Sequence, residues 1–205
     1  MTGLRIYVEG GGDGKRQKAI LRLGFQKFLE PLRDAARERR LTWDVIMFGG
    51  RGAAYDDYRT ALRKHPEVLN LLLVDAEGAV TKHPWQHLWA RDGWADPGVG
   101  DDCCHLMVQM VEAWLIADPK ALEEYYGQRF QRRSLPTNAD VEAIPKDRLL
   151  AVLEAASQHT RKGRYRKILH CADLLARVST RRVRRRAAHC ERLFCTVEGM
   201  IDGHR

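Results

Sequence analysis

The chain has 205 residues, enough to bury a real core as one domain or as one domain with a helical extension, which excludes a disulfide-stapled miniprotein. Hydrophobic residues make up 44% and charged residues 30%, the balance of an ordinary soluble globular protein, and no apolar run approaches the ~20 residues that a membrane span requires. The net charge of +8 favours a polyanionic partner such as nucleic acid, because clustered Lys and Arg release counterions when they neutralise phosphates.

Leu4 to Val8 is short, apolar and partly β-branched, and it runs into Glu9 and three glycines, which predicts a strand followed by a loop. Leu21, Phe25, Phe28, Leu32 and Ala35 recur at three- and four-residue spacing and predict one long helix from about Lys15 to Arg40. Trp43 to Phe48 reads as a second strand, Tyr55 to Lys64 as a helix, and Leu69 to Val74 as a third strand. That last run is apolar on both faces, as suits a central strand of a parallel sheet covered by helices on each side. His105 to Met110 supplies a fourth strand. Helical patterns follow at Glu112 to Ala117, Lys120 to Tyr126, Lys146 to Ser157, Tyr165 to Arg177 and Ala187 to Met200. The expected fold is α/β, a mostly parallel sheet flanked by helices, with an α/β domain over residues 1–127 and a basic helical C-terminal region over 128–205 packed on it.

In open α/β sheets ligands sit at the carboxyl ends of the strands, and this chain places acids there. Glu9 follows Val8 at the end of the first strand, and Asp75 and Glu77 follow Val74 at the end of the third. An Asp-x-Glu pair at a strand end projects both side chains to one side, by the two-residue period, where hard oxygen ligands can hold Mg²⁺ at about 2.1 Å. The competing reading is that acids often begin surface loops after strands.

The pattern resembles the TOPRIM fold of topoisomerases, bacterial primases, recombination mediators and OLD-type nucleases. It is carried by Val8-Glu9-Gly10-Gly11-Gly12 and by Leu73-Val74-Asp75-Ala76-Glu77-Gly78, with Glu77 where the commoner form has Asp. Within that superfamily the chain looks like small stand-alone TOPRIM-like proteins found beside ATPases in bacterial anti-phage systems. The added cues are Trp85-x-x-Leu88, Arg91-Asp92-Gly93-Trp94, the run His105 to Asp118, and Lys162-Gly163-Arg164-Tyr165-Arg166-Lys167. The resemblance implies a divalent-metal-dependent nuclease using Mg²⁺ or Mn²⁺, with an ATPase as a possible partner protein. It also implies that Asp75 and Glu77 bind metal, and that Glu9 is a further ligand or the general base or acid at the scissile phosphate.

Glu112, on the helix after the fourth strand, is a candidate fourth metal ligand, ahead of Asp118 nearly two turns later. Lys167 and His170 are three residues apart on one helix face and are candidates to stabilise charge in the transition state. From Arg161 to Arg192 there are twelve basic residues against two acidic ones. Lys162, Arg164, Arg181, Arg182, Arg184 and Arg185 are the expected nucleic-acid contacts, made to backbone phosphate, because consecutive arginines point all around a helix. A phosphate-loop reading of Gly10 to Lys15 fails on spacing and on Arg16 where Ser or Thr is required. A zinc reading of the cysteines lacks any paired Cys-x-x-Cys spacing. Met1 to Ile6 lacks the apolar stretch of a secretory signal, and the five cysteines are an odd number, so reduced thiols in a cytoplasmic protein are expected. Two other functions fit the same residues: a noncatalytic regulator that uses the acidic site to bind metal or a partner, and a nucleic-acid-binding module resting on the Arg161 to Arg192 region.

Overall fold

The structure is a computed structural model and describes residues 1–12 and 14–203, so Asp13, His204 and Arg205 lie outside it. Four strands, β1 (Gly3–Glu9), β2 (Thr42–Phe48), β3 (Val68–Asp75) and β4 (Cys104–Met107), form an all-parallel sheet in the spatial order β2-β1-β3-β4. Parallel strands need crossovers, and helices supply them: α1 (Lys15–Phe28) and α2 (Glu30–Glu38) join β1 to β2, and α3 (Arg51–Lys64) joins β2 to β3. α4 (Pro84–Asp92) lies between β3 and β4. Helices continue through α5 (Glu112–Ile116), α6 (Pro119–Tyr126), α7 (Lys146–Ser157), α8 (Lys167–Leu175), α9 (Thr180–Arg186) and α10 (Ala188–Asp202).

The alternation along each strand divides the core between the two sheet faces. Leu4, Ile6, Val8, Leu71 and Leu73 point into the larger cluster, which continues without a break through Trp114, Leu153, Leu174 and Phe194 of the C-terminal helices. Tyr7, Leu72 and Val74 point the other way, against Tyr55 and Tyr58 of α3 and Trp85 and Leu88 of α4. Each such side chain contributes about 1.5–3 kcal/mol on burial. The apolar core therefore sets where the sheet lies, and the polar residues at the strand ends are carried with it.

Three expectations are corrected. The helix read from Lys15 to Arg40 is two helices meeting at Leu29, because Pro31 in the first turn of α2 lacks an N–H and its ring clashes with the carbonyl four residues back. β4 stops at Met107 rather than Met110, since Gln109 adopts a left-handed φ of 62° that no strand accommodates. α4 falls in a stretch where no helix was read. No helix among the described residues is long and apolar enough to cross a membrane.

Candidate active site at the strand ends

From β1 the chain passes to β2 on one side and then returns to β3 on the other, so the strand order reverses between β1 and β3. A crevice opens outside the carboxyl ends of strands at such a reversal. Here it is a cleft of about 400 Å³ lined by Glu9, Gly11, Asp75, Glu77, Lys167 and Cys171. Val8 pairs with Leu73, so Glu9 and Asp75 end adjacent strands one residue apart in register. The offset sends their side chains to opposite faces, Glu9 toward α3 and Asp75 toward α8, and the two faces meet at the tips.

Two glycines make room for the cleft. Gly11 has φ of 89°, and a Cβ there would stand 3.0 Å from the Lys18 backbone at the start of α1. Gly24, in the middle of α1, lets α8 come so close that a Cβ would meet the Ala172 carbonyl oxygen at 2.7 Å. That close approach brings the first residue of α8, Lys167, over the strand ends.

The Lys167 ammonium stands 3.2 Å from Asp75 Oδ2 and 3.3 Å from Glu112 Oε2. The other oxygen of Asp75 accepts the Val111 N–H at 2.9 Å, and the other oxygen of Glu112 accepts the Tyr165 hydroxyl at 2.9 Å. Glu112 is wholly inaccessible, and its Oε2 lies off the hydrogen-bonding direction of the ammonium, so that atom is buried without a hydrogen bond. Burial pushes the Glu112 carboxyl up and Lys167 opposes it. Burial would lower the Lys167 ammonium, but Asp75 and Glu112 outweigh it and hold that group well above its usual range. A lysine at the first position of a helix also opposes the helix dipole, at a cost of about 0.3–1 kcal/mol.

Glu9 is held from the other face. Arg51, the first residue of α3, donates from Nη1 to Glu9 Oε2 at 2.8 Å and to the Asp75 carbonyl oxygen. The same guanidinium is clamped by Asp92, with Nε at 3.0 Å and Nη2 at 2.7 Å, and lies 4.9 Å above the Trp94 ring. Burial raises the Glu9 carboxyl, Arg51 opposes, and the Asp75 charge adds to the rise. Glu9 and Asp75 thus share one electrostatic environment.

The other expected site residues distribute as follows. Glu77 lines the cleft but does not continue the strand: its φ of 63° is left-handed, the two-residue alternation ends at Asp75, and its carboxylate pairs with Lys146 of α7. Among the described residues no group of three or more His, Cys, Asp or Glu side chains stands in a metal-holding arrangement. His170 is not brought to the carboxylates, because its Nδ1 bonds the Tyr126 hydroxyl at 3.0 Å, and burial with Arg166 and Lys162 nearby holds its pKa below the usual value. Asp118 caps α6 through Ala121 N–H at 3.3 Å and pairs with Arg182 at 2.8 Å, apart from the cleft.

The basic candidates differ among themselves. Arg184 is paired with Glu191 and Glu198, and Arg164 with Glu154 at 3.5 Å, while Lys162 lies 4.4 Å over the Tyr125 ring. Arg181 and Arg185 are exposed. Arg51, Asp92 and Lys146 were not among the expected site residues. Arg51 follows Gly49 and Gly50 directly after β2, so a search of strand ends for cations as well as acids finds it.

The fold and site define a parallel α/β protein with an ion-paired acidic cleft at its strand-order reversal. The chain belongs to the family described as Domain of unknown function (DUF4276), which matches residues 8–198 and so encloses every cleft residue. No curated protein and no solved structure matches it.

Proposed function

We propose that the chain is a divalent-metal-dependent nuclease that hydrolyses phosphodiester bonds of DNA or RNA in the strand-end cleft. One observation carries this reading: Asp75 and Glu112, from two separate elements, share the Lys167 ammonium, and Glu9 opens onto the same cleft from the neighbouring strand end, where Arg51 holds it. Burying ionised groups costs several kcal/mol per ion before pairing, and apolar residues of similar volume are often as stable or more so. A cleft that served stability alone has no need of them.

The carboxylates suit a hard cation in their chemistry, and to converge on one they would have to leave Arg51, Lys146 and Lys167. Carboxylate oxygens are the preferred ligands of Mg²⁺ and Mn²⁺, and Oε2 of the buried Glu112 has the Lys167 ammonium at 3.3 Å but accepts no hydrogen bond. Asp75 and Glu9 would hold the metal, with Glu77 at the rim after release from Lys146 and Glu112 behind. A bound cation would supply Lewis acidity at the scissile phosphate. Glu9 opens onto the cleft and is placed to take a proton from an attacking water. Lys167, whose side chain is 39% exposed, is free to leave the carboxylates and meet phosphate oxygen. The role expected for the Lys167 and His170 pair falls to Lys167 alone. An ATPase partner in an anti-phage setting belongs to this proposal through the TOPRIM resemblance only.

A second reading draws on the ion pairs themselves. Each cleft acid already has a cation of the protein beside it, Arg51, Lys146 or Lys167, as suits a noncatalytic regulator whose site binds a charged partner. Incubation of the purified chain with Mg²⁺ or Mn²⁺ and DNA or RNA oligonucleotides separates the two. Cleavage that EDTA and Asp75→Asn both abolish supports the nuclease; metal binding without turnover on any polymer supports the regulator.

A further inference from the structure

The loop after α6 and the loop between α7 and α8 enclose two hollows, of about 440 and 590 Å³, that share Arg129 and His159. The first hollow adds Arg161 and the second Arg133. All four side chains are exposed. Of the arginines lining the hollows, only Arg132 has a carboxylate partner among the described residues, Glu123 at 3.1 Å. Like charges lining one hollow repel one another unless an anion lies between them.

The backbone holds them there. Arg129 has φ of 67°, a left-handed conformation that costs a non-glycine residue about 1–2 kcal/mol, and the Gln131 N–H donates to the Ala156 carbonyl at 2.8 Å, pinning the first loop to α7. Buried side chains join the first hollow to α8. Tyr126 lines the first hollow and bonds His170, which sits one turn along α8 from Lys167.

We propose that these two loops form a cationic track that takes the phosphate backbone of a nucleic-acid strand and leads it toward the strand-end cleft. The binding step stands alone; only the strand's destination rests on the nuclease reading. Arg129, Arg133 and Arg161 contact phosphate oxygens, so affinity is insensitive to base sequence and falls steeply with salt.

The test is fluorescence anisotropy of a labelled single-stranded oligonucleotide with the full chain in EDTA, which reads binding without cleavage. The Arg133→Glu/Arg161→Glu variant is expected to bind roughly tenfold or more weakly at low salt, and the slope of log affinity against log salt to shrink by about 2. Arg37→Glu on α2 changes neither. Track-dependent binding in a chain that cleaves nothing upholds this inference and removes the nuclease. Equal affinity of the double variant and the unaltered chain overturns it, as does loss of binding on Arg181→Glu/Arg185→Glu instead, or binding of anionic vesicles but of no oligonucleotide.

Discussion

The strand-end cleft and helix α9 both concentrate charge, and they use it in different ways. On α9 three of the five arginines are absorbed by the fold, while Arg181 and Arg185 stay exposed. Arg182 pairs with Asp118 and Arg184 with Glu191 and Glu198, and Arg186 donates to the Ile116 and Ala117 carbonyls, satisfying the end of α5. In the cleft one lysine is divided between two carboxylates, a carboxylate oxygen is left without a hydrogen bond, and burial works against the charges present. A run of charge in a sequence is thus no measure of charge available to a ligand. What marks the cleft as the candidate site is demand that its own partners leave unmet.

The largest effect expected from breaking this contrast is at Lys167. Lys167→Met leaves Asp75 and the buried Glu112 uncompensated, and because the lysine is 39% exposed urea unfolding should show a solvent-screened loss of about 2–3 kcal/mol. Adding Glu112→Gln should restore part of it, a coupling that two independent surface charges do not show. Nucleolytic turnover should fall by roughly a hundredfold to a thousandfold with Lys167→Met, the scale for removing one preorganised stabiliser of transition-state charge.

A smaller effect is expected at Gly24. In an ordinary helix Gly→Ala gains about 1 kcal/mol, but here the added Cβ meets the Ala172 carbonyl at 2.7 Å. Gly24→Ala should therefore lower the melting temperature and reduce cleavage, because α8 moves outward and takes Lys167 with it. A rise in melting temperature with full activity would dissociate the α1/α8 contact from the site. The smallest effect belongs to α9: Arg184→Ala releases half-exposed glutamates, should cost about 1 kcal/mol in the same unfolding assay, and should leave oligonucleotide affinity unchanged.

The sheet was legible because its strands are apolar runs stopped by glycine or an acid, and burial of such runs dominates folding. Glu9 and Asp75 were legible for the same reason, since each ends a run. Glu77 was misplaced because strand alternation was carried two residues past the strand, through a left-handed bend that an ordinary glutamate does not announce. His170 was misassigned because spacing gives a helix face but not which neighbour that face meets. Arg51, Lys146 and Tyr165 reach the cleft from elements far apart in sequence, and their pairing depends on crossovers and helix packing that local pattern does not encode. In the arginine run the partners of Arg182 and Arg184, at Asp118 and on α10, were not legible either, because they lie far along the chain or across the helix packing.

A crystal structure of the chain grown with Mn²⁺, with the ion located by its anomalous scattering, addresses the central claim most directly. The account predicts Mn²⁺ bound by Asp75 and Glu9, with the Lys167 ammonium displaced from Asp75. Mn²⁺ bound elsewhere, or a cleft in which Lys167 still bridges Asp75 and Glu112 at saturating metal, would contradict it.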